Sequence, residues 1–396
     1  MSESIHSLEQ LSNIILRLQQ NDPTLTEIFF AHYFKGTFNN ILEILELLKT
    51  NSTVIKLSLS SLYINDIEME HVSNMLQSNK TITKLWIIGC SLTENSITIL
   101  ADTLRINTTL VTLNISNNNI GNNGMMKIYR AINENQDSHL TNLYVDQNNI
   151  IYDENITNFM LSLRNPTFPY LDNSHISSLS NIITSSGFNI ICKHLETNQF
   201  INLNKLKFVG NLSDIFLSEL CTVLKKNKTI KFLDLSHNKF NSLSFLNLGE
   251  MLRVNTTLLK LNLNYSYINT IGAIYLSVGL TFNSSLKCLC LDQQMFKDDG
   301  MIALKNALIN NHSLIKLSIN MVNINWEQYI FGSRGEDAII ELLTQNTTIV
   351  HKLFNTNKIV SYDVDDIIDE LIEKNRKKLI CSLENDIYEY DFETFF

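Results

Sequence analysis

The feature of this sequence that most limits what it can fold into is a period of about 28 residues. Taking the first apolar residue of each LxxLxLxxN-like segment as an anchor gives Val54, Ile82, Leu110, Leu140, Leu203, Ile230, Leu258, Leu286 and Leu314. Successive anchors lie 28, 28, 30, 63, 27, 28, 28 and 28 residues apart. The 63-residue interval has room for two units, and Phe168 with Leu171 supplies a degenerate anchor inside it. Leu25, with Ile28 and Phe30, opens a first atypical unit and Ile349 a last one, for about twelve units in all. A repeat of this length cannot bury its own apolar face, and stacked neighbours must cover it.

Each unit divides in two. The anchor segment alternates with period two, so the anchor, fourth and sixth positions turn inward and the third, fifth, seventh and eighth are left for solvent. Between anchors, apolar residues recur at helical spacing, as in Met301, Ala303, Leu304, Ala307 and Leu308, or Ile97, Leu100, Ala101 and Leu104. A short strand, a turn and a helix therefore make the unit, and the fold class is α/β. The ninth position holds Asn118, Asn148, Asn211 and Asn238, with Cys90, Ser266 and Gln294 elsewhere. Its side chain is expected to bond backbone groups in the turn leaving the strand.

A second asparagine stands three residues before the anchor in eight units: Asn51, Asn79, Asn107, Asn227, Asn255, Asn283, Asn311 and Asn346. Each is followed two residues on by Ser or Thr, so each is formally an N-glycosylation sequon. A feature locked to the repeat period is explained by the repeat. The position ends a helix, where asparagine tolerates the left-handed conformation that helix C-termini commonly need.

Composition excludes several functions. A net charge of −9 and a pI near 5.5 argue against a general nucleic-acid binder. The opening MSESIHSLEQLSNIILRLQQ lacks a basic stretch followed by a continuous apolar run, and no segment approaches the ~18 apolar residues of a membrane span. The expectation is a cytoplasmic or otherwise intracellular monomer, delivered into a host cell if its source is a pathogen. Six cysteines (Cys90, Cys192, Cys221, Cys288, Cys290 and Cys381) show no metal-ligand spacing. Cys288-x-Cys290 puts two thiols on one strand face and reads as two ordinary thiols. Phosphate-loop, dinucleotide, nucleophile-elbow and zinc-protease motifs do not occur. The chain is therefore read as non-enzymatic, with no metal and no cofactor.

Units such as "NTTLLKLNLNYSYINTIGAIYLSVGLTFN" (255–283) resemble ribonuclease-inhibitor-type leucine-rich repeats, as found in NOD-like receptors, Ran GTPase-activating protein and tropomodulin. The resemblance covers most of residues 25–350. It implies a horseshoe solenoid with a parallel sheet on the concave face and helices on the convex face. It also implies a binding surface for another protein, since this fold serves many partners. The segment "SLIKLSINMVNINWEQYIFGSRGEDAIIELLTQNTTI" is similar to the last repeats of the tropomodulin C-terminal domain, with an enlarged loop over 325–337. No tropomyosin-binding segment is recognisable ahead of the repeats, so actin capping carries over only weakly. Arg334 is the one tempting candidate for a charge-stabilising finger, against the plainer reading of a solvated loop residue.

The expected organisation is an N-terminal capping helix over 1–24, repeats over 25–362 with a degenerate unit in 151–202, and a capping helix with an acidic-aromatic tail over 363–396. The solvent-facing strand positions are where function can be written without disturbing the fold. They single out Trp86, Ile88, Asn114, Tyr144, Asp146, Asp234 and Tyr265 as a partner-binding set. Third-position Lys56, Lys84, Lys205, Lys260 and Lys316 form a candidate basic rim. The function expected is a protein-interaction scaffold. The alternatives are a regulator of an enzyme in trans, as hydrolase inhibitor or GTPase activator, and a host-interaction effector of a pathogen or large virus.

Overall fold

Among the described residues, short strands and single helices mostly alternate, and the strands of each sheet pair in parallel. The computed structural model describes residues 2–5, 7–30, 41–161, 171–172, 182–197, 204–210, 212–319, 332–353 and 362–382. Phe168, the anchor Leu203, Asn211, most of the expected enlarged loop and the acidic-aromatic tail lie outside them. The chain divides into two compact units, Met1–Ile191 and Cys192–Phe396.

In the first unit the strands are β1 (Ser2–Ile5), β2 (Glu27–Phe30), β3 (Lys56–Ser58), β4 (Lys84–Trp86), β5 (Thr112–Asn114) and β6 (Asn142–Tyr144), hydrogen-bonded in that order as one parallel sheet. β7 (Ile151–Tyr152) pairs with β9 (Ile182–Ile183), and β8 (Leu171–Asp172) falls at the degenerate anchor. The helices are α1 (Leu8–Gln19), α2 (Leu42–Leu48), α3 (Asp66–Ser78), α4 (Glu94–Leu104), α5 (Gly121–Glu134) and α6 (Glu154–Leu161). The expected N-terminal helix is thus preceded by a strand, whose Ile5 is fully buried. Within it Leu11, Ile14 and Leu18 are buried, Ile15 is half-buried and Leu8 is 51% exposed.

α7 (Ser185–Glu196) carries the chain into the second unit. There β10 (Lys205–Val209), β11 (Phe232–Asp234), β12 (Lys260–Asn262), β13 (Cys288–Cys290), β14 (Lys316–Ser318) and β15 (His351–Leu353) pair successively in parallel. The helices are α8 (Asp214–Leu224), α9 (Ser242–Val254), α10 (Thr270–Phe282), α11 (Asp298–Leu308), α12 (Ser333–Gln345) and α13 (Tyr362–Ser382). α9 and α10 touch backbone to backbone: a Cβ on Gly279 would lie 2.1 Å from the Gly249 carbonyl oxygen. Only glycine permits that approach.

The inward strand frame holds. Leu57, Leu85, Leu113, Leu233, Leu261, Leu289 and Leu317 are at most 1% exposed, as are the helical residues Ile97, Leu100, Ala101, Met301, Leu304 and Leu308, apart from Leu104 and Ala307 at 3% and 5%. Some expected solvent positions are nevertheless covered. Val209 is buried as well as the inward Phe208 before it, in a β10 that runs two residues longer than the strands that follow it. Ser58, Ser236, Cys290 and Ser318 are buried as well, being too short to reach past longer side chains on the same sheet face.

Two rows of polar side chains close the backbone bonding between units. At the ninth position, Asn118 Nδ2 donates to the Ile87 and Ile115 carbonyls, and Asn148 Oδ1 accepts from the Asn118 amide. Asn238, Ser266 and Gln294 reach back to Phe208, Leu235 and Leu263 in the same way, and the Cys90 thiol to Leu59. At the helix ends, the sequon asparagines accept from the amides two and three residues ahead while donating to the last turn of the previous repeat's helix, except Asn51, which donates to the Asn21 side chain. Asn255 does this with Thr257, Leu258 and the Leu224 carbonyl. Their backbone is not left-handed: ψ is 139° at Asn79, 126° at Asn255 and Asn283, and 115° at Asn346. The side-chain amide closes the helix end that a left-handed residue was expected to close.

Left-handed backbone occurs at one helix end, Asn21 after α1, and otherwise mainly at the tenth strand position (Ser91, Asn119, Asn149 and Tyr267) and the eighth. Ser61, Gly89, Asn117, Gln147, Gly210, His237, Tyr265 and Gln293 all have φ between 54° and 68°. At the eighth position the turn aims the amides of Ser61, Gly89, Asn117, Gly210, His237 and Tyr265 at the seventh-position carbonyl of the next repeat, as His237 to Asn264 at 2.8 Å, and prolongs the ladder past the strand.

Candidate functional site

In the first unit, the fifth strand positions stand side by side: Phe29 on β2, Ser58 on β3, Trp86 on β4, Asn114 on β5 and Tyr144 on β6. Each alternates with a buried leucine or isoleucine, which turns it to the face away from the core. Because Ser58 is small, the rings of Phe29 and Trp86 meet across it, edge to face, with centroids 6.2 Å apart and planes at 71°. Lys56 lies over both, its Nζ 3.6 Å from the Trp86 centroid and 4.6 Å from that of Phe29. Burial among these rings lowers the Lys56 pKa from the ordinary lysine value; Glu27 opposes the shift and Lys84 adds to it. Such a cation between rings is held by about 0.5–2 kcal/mol, so it stiffens the aromatic surface.

Tyr144, two strands from Trp86, is half-buried, as are Ile88 and Asp146 at the seventh positions. The carbonyls of Ile88 and Asp146 accept from Ser61 and Asn117, which fixes their backbone in the ladder. Asn114 closes its own turn, with Oδ1 accepting from the Ser116 amide at 3.0 Å. Asp234 does the same for Ser236, through amide and hydroxyl at 3.0 and 2.7 Å. Both are side-chain-closed turns of the kind Asn and Asp favour.

The lysines of the expected rim have different neighbours. Lys84 is exposed on the first unit, next in register to Lys56. In the second unit Lys205 Nζ lies 5.3 Å from the Phe232 ring, while Lys260 and Lys316 stand in register on either side of Cys288. Tyr265, 43% exposed, stacks on His237 with centroids 4.5 Å apart and planes at 11°. Arg334 opens α12 and pairs with Asp299 at 2.9 Å, both side chains well exposed. Phe29 and the stacking role of His237 were missed from sequence. Phe29 sits in an atypical unit, and the His237–Tyr265 stack follows from two equal repeat positions carrying rings. Among the described residues no group of three His, Cys, Asp or Glu could hold a metal, and no helix is long and apolar enough to cross a membrane.

No family model matches the chain, and no curated protein does. Among solved structures, a chain of the Rad7–Elc1 complex from yeast is similar over 90% of this chain and 84% of its own, at 16% identity and a TM-score of 0.51. The leucine-rich repeat-containing protein LegL7 from Legionella pneumophila matches 94% of this chain and 98% of its own, at 12% identity and a TM-score of 0.43. The tropomodulin C-terminal domain from Caenorhabditis elegans matches 50% of this chain and 99% of its own, at 12% identity and a TM-score of 0.34.

Proposed function

From a chain of leucine-rich-repeat type, we propose a non-enzymatic scaffold that binds a partner protein on the exposed sheet face of the first unit. The carrying observation is the row Phe29–Ser58–Trp86–Asn114–Tyr144, where rings, the first two held by Lys56, alternate with small polar residues. Aromatic anchors fixed before binding lose little entropy on docking, and such residues dominate interface energetics. The partner would offer apolar clefts for Trp86, with Ile88 beside it on the same strand, and for Tyr144, and polar groups for Lys84 and Asp146. Tyr265 and the remaining lysines lie on the second unit and are assigned a lesser role.

The scaffold is read as an intracellular monomer; that the sequon asparagines are buried with both amide atoms used by the fold supports the part of that reading in which they carry no sugar. α13, with Ile368, Ile372 and Asn375 buried, is read as the C-terminal cap. Arg334 is not assigned a finger role, since Asp299 holds it at the start of a helix.

The test is a photo-crosslinking residue at Asn114, compared with one at Ile67, which is 66% exposed on α3. A defined adduct with a host protein from position 114 and none from position 67 is expected. Trp86→Ala with Tyr144→Ala should then weaken that complex by about 2 kcal/mol or more, roughly thirtyfold, without shifting the melting curve much. Equal adducts from the helix face, or an unchanged affinity of the double variant, would refute the assignment.

A further inference from the structure

We propose that the acidic-aromatic segment 384–396 binds, within its own chain, along the strand-entry edge of the second unit, where lysines and half-buried apolar side chains alternate. The docking row belongs to the other unit, so the inference stands apart from the function proposed above.

The edge is uniformly basic. The six residues that open each of β11 to β14 are NKTIKF (227–232), NTTLLK (255–260), NSSLKC (283–288) and NHSLIK (311–316), and together they hold five lysines and no carboxylate. Phe232, Lys260, Cys288 and Lys316 are partners in register. One step earlier, the Leu259 amide donates to the Lys231 carbonyl, that of Lys287 to Leu259 and that of Ile315 to Lys287. Each strand thus offers one lysine, at the second or third position in turn: Lys231, Lys260, Lys287 and Lys316. Phe232, Leu259, Cys288 and Ile315 take the alternate places and are half-buried. Three strand spacings, about 14 Å, separate the first lysine from the last. Lysines on adjacent strands repel one another while the ladder fixes their backbones, so carboxylates set among them lower the energy of the edge.

The segment ENDIYEYDFETFF has the complementary chemistry. It carries five carboxylates and no basic group, and Tyr388, Tyr390 and Phe392 alternate with Glu389, Asp391 and Glu393. In an extended chain those three carboxylates span about 13 Å, close to the length of the lysine row. Charges interleaved with rings thus meet charges interleaved with apolar side chains.

α13 leads the chain to this edge. Asn346 stands three residues ahead of the anchor Ile349 and donates to the Leu308 and Asn311 carbonyls. Asn375 donates to those of Leu343 and Asn346 in the same way, so it marks the same edge from within α13. The helix runs on for seven residues to Ser382, about 10 Å further. The fourteen residues 383–396 lie outside the described ones; fully extended they reach about 46 Å, over three times the length of the lysine row. Lys374, Lys377 and Lys378 on α13 are the rival cations, with Lys377 already 3.9 Å from Glu373. An outside ligand of the same chemistry would bind the edge only by displacing the segment.

The experiment uses the full chain, mixed from equal parts of unlabelled and nitrogen-15-labelled protein and treated with a carbodiimide, which joins a carboxylate directly to an amine. Mass spectrometry of the digest should find Glu389, Asp391 or Glu393 joined to Lys231, Lys260, Lys287 or Lys316, both halves carrying the same isotope. The absence of these links, or links from the segment to Lys374, Lys377 and Lys378 alone, would overturn the proposal. Links of mixed isotope would overturn it too, by making the occupant a second copy. A fluorescent peptide of residues 384–396 supplies a second reading. It should bind the full chain with Glu384→Gln, Asp386→Asn, Glu389→Gln, Asp391→Asn and Glu393→Gln about tenfold or more tighter than the parent, whose own segment competes at high effective concentration. Raising salt from about 0.1 M to about 1 M, which shortens the screening length from about 10 Å to about 3 Å, should weaken that binding. Adding Lys260→Gln with Lys287→Gln should cost about fivefold with the melting curve unchanged. Equal affinity for parent and variant, indifference to salt, or unchanged binding in the folded lysine variant would each refute the assignment.

Discussion

The side chain of Asn79 closes a helix that ended in the preceding repeat: its Nδ2 donates to the Leu48 carbonyl, 31 residues earlier, at 2.6 Å. Its Oδ1 meanwhile accepts from the amides of Thr81 and Ile82. One amide thus satisfies a helix terminus in one unit and the strand entry in the next. The relationship recurs from Asn107 to Leu76, Asn283 to Leu252, Asn311 to Leu280 and Asn346 to Leu308. It extends to Asn375, which reaches the Leu343 carbonyl from within α13.

Removing one such amide should be costly. Asn255→Ala leaves the buried Leu224 carbonyl, the buried Leu258 amide and the part-buried Thr257 amide without their partner, at about 1–3 kcal/mol. Urea unfolding should show this loss, whereas Thr256→Ala, at an exposed position, should stay within about 0.5 kcal/mol. Equal midpoints for the two variants would remove the asparagine's structural role.

The same geometry predicts bare sequons. A glycan on Asn107 or Asn255 would replace an amide hydrogen that the fold uses and would have to occupy buried space. Peptide mass spectrometry of protein from its own host should find both asparagines unmodified; hexose-sized increments would contradict the reading.

Leu261→Asp tests the strand frame. Leu261 is fully buried, and an uncompensated carboxylate there costs several kcal/mol, enough to unfold neighbouring repeats. Asn262→Asp, one residue on, should be nearly neutral, because its side chain faces away from the core and an aspartate can still accept from the Asn264 amide. A melting curve unchanged by Leu261→Asp would invert the frame.

Gly279→Ala should destabilise although alanine is the better helix former. Propensity favours alanine by about 1 kcal/mol, but overpacking typically costs about 1–3 kcal/mol. With a Cβ 2.1 Å from backbone, the upper part of that range applies and steric cost wins. A rise in melting temperature would show that α9 and α10 can separate freely.

Asp22 gives the pH prediction. Its pKa is lowered from 3.8 to about 2 by the Thr24 backbone amide first, then the Thr24 hydroxyl and Arg17. Between those values the unfolded chain binds more protons than the folded one, so this contribution is present above 3.8 and is lost as pH falls toward 2. Asp22→Asn should flatten the acid limb of stability against pH in that window; parallel limbs for variant and parent would disprove the linkage.

The repeat was legible because burial recurs with the period, and Leu113, Leu233 and Leu289 show the same pattern in sequence and in space. What periodicity does not encode is backbone sign. Asparagine is common at the helix ends, which points to left-handed residues there, yet apart from Asn21 they fall mainly at the eighth and tenth strand positions, where residues as different as Gly89 and Tyr265 adopt that conformation. Asn135 escapes a search by anchor spacing because the 30-residue interval moves it to five residues before Leu140, although it still bonds the Leu104 carbonyl. The ring surface was half legible. Trp86 and Tyr144 follow from counting, but the closure of Lys56 over Trp86 depends on Phe29 and on the smallness of Ser58 between them.

Because each asparagine amide bridges only adjacent units, the natural step for changing the length of this chain is one whole period. Excising residues 255–282 would join Val254 to Asn283 and put Leu224 at the upstream distance Leu252 now occupies, so the bond closes again without a new side chain. A deletion of 27 or 29 residues would strand the same amide one carbonyl short or long. Lineages carrying this repeat can therefore gain or lose coverage in whole-module jumps, and insertions of intermediate size survive only where a loop absorbs them.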